Sequence, residues 1–353
     1  MTLPLPPHFE PRRVGEIWRV PYEERAAQAE AWAGQNGIGP AAADERRVCL
    51  VCVDCQNTFC SPGFELFVAG RSGRGAVDDV TRLCAFLYRN LDAITQVVAT
   101  LDTHRAMQVF HAAFLVDAEG RHPPPFTLVS AEDVESGRWR FAPEAAPSLE
   151  IDASYGEAYL RHYARRLAES GKYELTVWPY HAMLGSVGHA LVPALEEAIF
   201  FHTVARSAQP RFEVKGSAPL TEHYSMLGPE VTEGPDGRWV GVRDHALIDD
   251  LLGFDAVVIA GQAKSHCVAW TVEDLLADIR SRDPSLASRV YLLEDCTSPV
   301  VVSGAVDYTD EADAAFARFA SAGMHLARST ESIPDWLERA AERRLPSPGE
   351  GVN

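Results

Sequence analysis

Short apolar runs alternate with amphipathic stretches from residue 47 to residue 327. The runs are VCLVCV (48–53), QVVATL (96–101), ELTVW (174–178), RFEV (211–214), DAVVIA (255–260), RVYLLE (289–294) and MHLA (324–327). Most are continuously apolar rather than alternating, which marks strands buried on both faces. Between them, residues 76–90, 187–203, 243–252, 266–282 and 307–322 carry helical periodicity. Strand and helix in alternation, joined by right-handed crossovers, predict a doubly wound parallel sheet in a three-layer α/β/α sandwich.

The pattern divides the chain into three parts. Residues 1–45 form an N-terminal extension, a Pro-rich lead followed by the helical stretch YEERAAQAEAW; the lead is expected to run over the surface. Residues 46–330 form the α/β domain, and 331–353 a C-terminal tail. Two segments interrupt the minimal repeat. One is a long insertion at about 105–172, with HPPPF inside it. The other spans 216–242, where GPEVTEGPDG predicts a hairpin or lid. Excursions of this length serve as lids or in assembly, and a homo-oligomer is expected.

Composition narrows the function. The net charge of −18 would repel phosphate backbones and anionic lipid, so neither nucleic acid nor a membrane surface is an expected partner. No run approaches the ~18 apolar residues of a membrane span. The opening MTLPLPPHFEPRR lacks the apolar core of a signal peptide, so a cytoplasmic setting is expected. Seven cysteines in such a chain suggest free thiols. Cys49, Cys52, Cys55 and Cys60 are close in sequence, but residues three apart on a strand face opposite ways. They read as packing cysteines rather than metal ligands.

In a doubly wound sheet, ligands bind beyond the carboxyl ends of the strands. Asp54 follows the first strand, Asp102 and His104 the second, Pro179-Tyr180-His181 the run ELTVW, Lys215 the run RFEV, and Cys267 the run DAVVIA. Each residue alone is unremarkable: an Asp after a strand is most often a turn residue, and a lone Lys is solvated. Their common rim is the signal. Cys267 at a helix start would meet unpaired N–H groups that favour a thiolate, with Lys215 adding to the effect. Asp54 offers a proton acceptor and later donor. Asp102, His104 and His181 make a plausible three-ligand metal set with open coordination positions, or equally a strand end with two loop histidines.

These residues stand in ordered elements that resemble the isochorismatase-like cysteine hydrolases, and among them the nicotinamidases. The elements are Asp54-Cys55-Gln56-Asn57-Thr58-Phe59, Asp102-Thr103-His104, Trp178-Pro179-Tyr180-His181, Lys215-Gly216 with Tyr224-Ser225, and Gly261 to Val268. The resemblance implies Asp54, Lys215 and Cys267 as catalytic triad, and the backbone N–H groups of Ala263 and Cys267 as oxyanion hole. It also implies a cis bond at Gln262–Ala263. Phe59 and Trp178 would flank an aromatic substrate. Asp102, His104 and His181 would bind a divalent metal, zinc first, with iron or manganese as options. The implied activity is hydrolysis of a small-molecule amide, nicotinamide to nicotinate and ammonia, as in NAD salvage. The insertion at 105–172 and the stretch Ala182-Met183-Leu184-Gly185-Ser186 depart from the usual pattern. They leave open a related amidase acting on another small amide or carbamoyl substrate. A non-catalytic binding or assembly protein that retains the site is the third reading.

Overall fold

The computed structural model describes residues 2–344. Its centre is a six-stranded parallel sheet: β1 (Val48–Val53), β2 (Gln96–Asp102), β3 (Arg211–Lys215), β4 (Ala256–Gly261), β5 (Val290–Leu293) and β6 (His325–Ala327). The spatial order is β6-β5-β4-β1-β2-β3. Winding therefore reverses between β4 and β1, where a doubly wound sheet opens its crevice.

Both faces are covered, as the apolar runs require. Val48, Leu50 and Cys52 of β1 join one apolar cluster, while Cys49, Val51 and Val53 join the other. The first face is covered by α1 (Tyr22–Asn36), α2 (Gly75–Arg89) and α4 (Pro193–Arg206); α3 (Ala153–Ser170) belongs to the insertion. The second face is covered by α5 (His245–Leu252), α6 (Ala269–Arg282) and α7 (Thr309–Ser321). In α2, Ala76, Val77, Val80, Leu83, Cys84 and Leu87 make one buried stripe at helical spacing. Each fully buried side chain of this size contributes roughly 1.5–3 kcal/mol. Pro193 starts α4 at a position where its missing N–H is harmless. The Asp244 side chain caps α5 by accepting from Leu247 N–H at 2.9 Å.

The extension is tied to this body. Leu3 N–H donates to Arg89 O at 2.9 Å, His8 lies against Tyr88 and Phe201, and the Arg25 guanidinium pairs with buried Glu197 at 2.7 Å. At the other end, α8 (Ile333–Arg344) returns to the sheet, stacking Trp336 on Phe86 and Tyr291. The remainder of the expected tail, 345–353, lies outside the described residues.

One strand expectation fails. ELTVW is not in the central sheet: only Leu175–Thr176 is extended, and it pairs antiparallel with Leu128–Val129 of the insertion. The run is short and ends at Pro179, which has no N–H to give to a ladder. His181 therefore sits on irregular backbone, pinned where His104 N–H donates to Ala182 O and Leu184 N–H to His104 O, both at 3.0 Å. Of the 228–237 stretch, only 234–237 forms a tight turn, closed by an antiparallel bridge between Glu233 and Trp239.

Candidate active site

Strand register brings the chemistry to one rim. Val53 pairs with Gly261, and Asp102 with Lys215, so four strand ends finish nearly level. Asp54, one residue past β1, adopts a left-handed φ of 45°. It is held there by Thr100, whose Oγ1 accepts from Asp54 N–H at 2.8 Å and whose hydroxyl donates to Asp54 Oδ1. Gly261 turns at φ +117°, and a Cβ there would lie 2.1 Å from Val53 O. Gly216, at φ +83°, lets the chain leave β3 where a Cβ would lie 2.7 Å from Asp102 Oδ1. The Gln262–Ala263 bond is cis.

Lys215 is the centre of the group. Its buried Nζ lies 2.9 Å from Asp54 Oδ2, 2.9 Å from Asp102 Oδ1 and 3.6 Å from Cys267 Sγ, and it donates to His223 O at 2.9 Å. Burial lowers its proton affinity, but Asp102 and Asp54 outweigh burial and hold the ammonium charged. The two carboxylates diverge. For Asp54, burial outweighs Lys215, with Asp102 adding repulsion, so its pKa is raised. For Asp102, burial is opposed by His104 and Lys215 together, and the carboxyl is held well below the usual range.

Cys267 stands in the opening turn of a helix, as expected, but that turn, Lys264–Val268, is π-type and α6 continues from Ala269. Its thiol pKa is raised, not lowered: burial dominates, Lys215 opposes it, and Asp54 and Asp102 add to the rise. Cys267 is only 7% exposed, so desolvation overrides the expected thiolate-favouring effect of the helix start and Lys215. Ala263 O accepts from the N–H groups of His266 (3.0 Å) and Val268 (3.1 Å), on either side of the Cys267 amide. The other six cysteines are free and buried, as expected of packing residues.

Asp102, His104 and His181 converge, each offering a ligand atom within 4.8 Å of the others. His104 Nε2 lies 2.7 Å and His181 Nε2 3.8 Å from Asp102 Oδ2. His181 Nδ1–H donates to Pro179 O at 2.7 Å, and His104 Nδ1 faces Gly216 O at 3.4 Å. Nε2 of both rings thus converges on Asp102 Oδ2, where His104 Nε2–H donates, and an ion taking the place of that proton would meet two imidazoles whose other nitrogen faces a carbonyl, as in metal sites. Burial, followed by the charge of His104, lowers His181 to about 3, so it is neutral and able to ligate. This set fits a divalent cation.

A narrow cavity opens beside these groups. Phe59 and Trp178 line it, where sequence reasoning put them. Leu66, Val68, Glu222, Tyr224, His266 and Val300 also line it. Sequence reasoning gave these no role, although Tyr224 and His266 lie inside quoted motifs. Glu222 is pushed up to about 7, first by burial, with the nearby charges of His104 lowering and Asp102 raising it. The insertion braces this wall: Tyr163 OH accepts from Glu222 N–H at 3.0 Å, Tyr159 OH donates to Leu220 O, and Trp178 Nε1–H donates to Tyr224 OH at 2.9 Å.

No sequence-family model and no curated protein matches this chain. Among solved structures it is similar to a nicotinamidase/pyrazinamidase of Acinetobacter baumanii, at 19% identity and TM-score 0.48, covering 82% of this chain and 98% of that one. It is similar to a yeast nicotinamidase at 16% identity and TM-score 0.47, covering 80% and 99%. An isochorismatase-like hydrolase from Alkaliphilus metalliredigens is similar at 12% identity and TM-score 0.40, covering 83% and 99%.

Proposed function

We propose that this chain is a cysteine amidohydrolase that converts an aromatic primary carboxamide, nicotinamide in the first instance, to its acid and ammonia. The observation that carries the reading is one buried ammonium, Lys215 Nζ, in contact with Asp54, Asp102 and Cys267 together.

The chemistry follows from the charges. Burial raises both the Cys267 thiol and the Asp54 carboxyl, so their proton affinities move in the same direction. Lys215 stabilises whichever of the two is the anion. Asp54 takes the thiol proton as sulfur attacks the carboxamide carbon, and the N–H groups of Ala263 and Cys267 receive the developing oxyanion. Asp54 then protonates the departing ammonia, leaving a thioester. Water, deprotonated by Asp54, releases the acid and returns the proton to sulfur. Asp102, His104 and His181 would hold a divalent metal, zinc by its His/Asp preferences, with iron or manganese compatible. That ion would supply Lewis acidity and a fixed point for a ring nitrogen or water.

The test is ammonia release from nicotinamide and a small panel of aromatic amides, with metal added. Turnover is expected from the native chain and none from Cys267→Ala, with circular dichroism unchanged. Absence of release from every amide in the native chain defeats the reading.

A further inference from the structure

His266 precedes the proposed nucleophile and is nearly fully buried, yet its Nε2 has no hydrogen-bond partner. Buried polar atoms without partners are uncommon, and each needs a reason. Its ring lines the cavity, with Trp178, Tyr224, Tyr173 and Tyr308 around it at centroid distances of 4.8 to 5.4 Å. Those four rings come from three separate parts of the chain.

The other ring nitrogen decides what Nε2 offers. Nδ1 lies 2.8 Å from Ser265 Oγ, and that oxygen already accepts from Val300 N–H at 3.1 Å. With Val300 as donor, the Ser265 proton is free to be given, and Nδ1 is the acceptor it reaches. Nε2 then carries the hydrogen. No charged group acts on the ring, and burial alone keeps it neutral, at about 3. His266, a residue of the pocket wall, therefore carries a neutral, unsatisfied N–H donor.

We propose that His266 determines specificity: its Nε2–H donates to an acceptor carried by the substrate scaffold beyond the carboxamide. The substrate class is then an aromatic carboxamide bearing a carbonyl or carboxylate oxygen as a second point of recognition. This rests on the amidohydrolase reading for the reacting end, but the recognition itself can be measured without turnover.

The probes are benzamides with a 3- or 4-acetyl group, matched to their isopropenyl isosteres, together with the corresponding benzoic acids as product ligands. For the metal-loaded full chain, one acetyl acid is expected to bind about 10-fold more tightly than its isostere, with the same preference in kcat/KM. His266→Phe should reduce the preference to within about twofold, the acetyl partner losing more than its isopropenyl isostere. His266→Gln, which keeps a donor near the Nε2 position, should restore part of it. His266→Leu serves as the apolar replacement if the phenylalanine variant does not fold. Equal or absent binding of the acetyl acids by the native chain overturns the proposal, as does a preference that survives both apolar variants. Discriminating binding without ammonia release would sink the amidase reading and leave the role of His266 standing.

Discussion

Two buried carboxylates flank one lysine, and their surroundings push their proton affinities apart. Asp54 and Asp102 both lie 2.9 Å from Lys215 Nζ, and both are almost fully shielded from solvent. Asp102 has in addition a histidine at 2.7 Å, whereas Asp54 has the hydroxyl of Thr100 and a thiol whose own ionisation it opposes. One extra positive neighbour divides them, the protonated His104 or the metal ion that would replace its proton: Asp102 is held as an anion, and Asp54 is a group that can gain and lose a proton. Pairs of acids driven apart by their surroundings are how one site keeps a base and a fixed charge side by side. The lesson is that the number of ionised partners, not the distance to the shared lysine, sets the role.

The sharpest way to break the comparison is to neutralise each acid in turn. Asp54→Asn should lower kcat by about 1,000-fold or more while metal content stays at the native level. Asp102→Asn should do the reverse in order of cause: metal affinity falls by at least about 100-fold, and activity follows. Metal analysis of both proteins beside single-turnover rates reads the difference. If both variants lost metal alike, the two acids would not have separate duties.

A pH series sharpens the same contrast with a smaller effect. The folded pKa of Asp54 is raised, so its base form is lost on acidification above the usual carboxylate range of about 4. The folded pKa of Asp102 is depressed, so its contribution to stability is present above its unfolded value and is lost only as pH falls toward the low folded value. Activity should therefore fall about 10-fold per pH unit on the acid side while near-UV circular dichroism holds. Loss of fold and activity in one step would contradict the split.

The smallest expected effect comes from the brace. Tyr163→Phe leaves the Glu222 N–H without its acceptor, a penalty of about 1–3 kcal/mol if nothing replaces it. Because that loop carries pocket wall rather than reacting groups, KM should rise by about 5-fold with kcat within twofold. A change in kcat alone would mean that the brace reaches the acids.

The divide between what was legible and what was not follows contact range. VCLVCV and DAVVIA are buried on both faces, so their apolar runs declare them, and the residues beyond their ends follow from topology. ELTVW has the same local appearance, but its place depends on Leu128–Val129, some 45 residues away, which no local pattern reveals. The thiol was misjudged because position in a helix is local, whereas the desolvation that dominates it comes from the whole fold. Glu222 and His266 were missed for a related reason. A buried polar residue becomes conspicuous only once its surroundings are known to leave it unsatisfied or shifted.

Gly261 carries a consequence for how this sequence can vary. It contributes no side chain to the cavity, yet any Cβ would strike the backbone of Val53, immediately before Asp54, while the turn bearing Cys267 begins three residues later at Lys264. The position is thus a mechanical coupling between two strands that carry the proposed base and the proposed nucleophile. In a saturation library scored for function, it should tolerate as little as Cys267 itself, since nothing larger than hydrogen fits between the two strand ends. An inert position of this kind would rank beside the reactive ones, and would do so by keeping space empty.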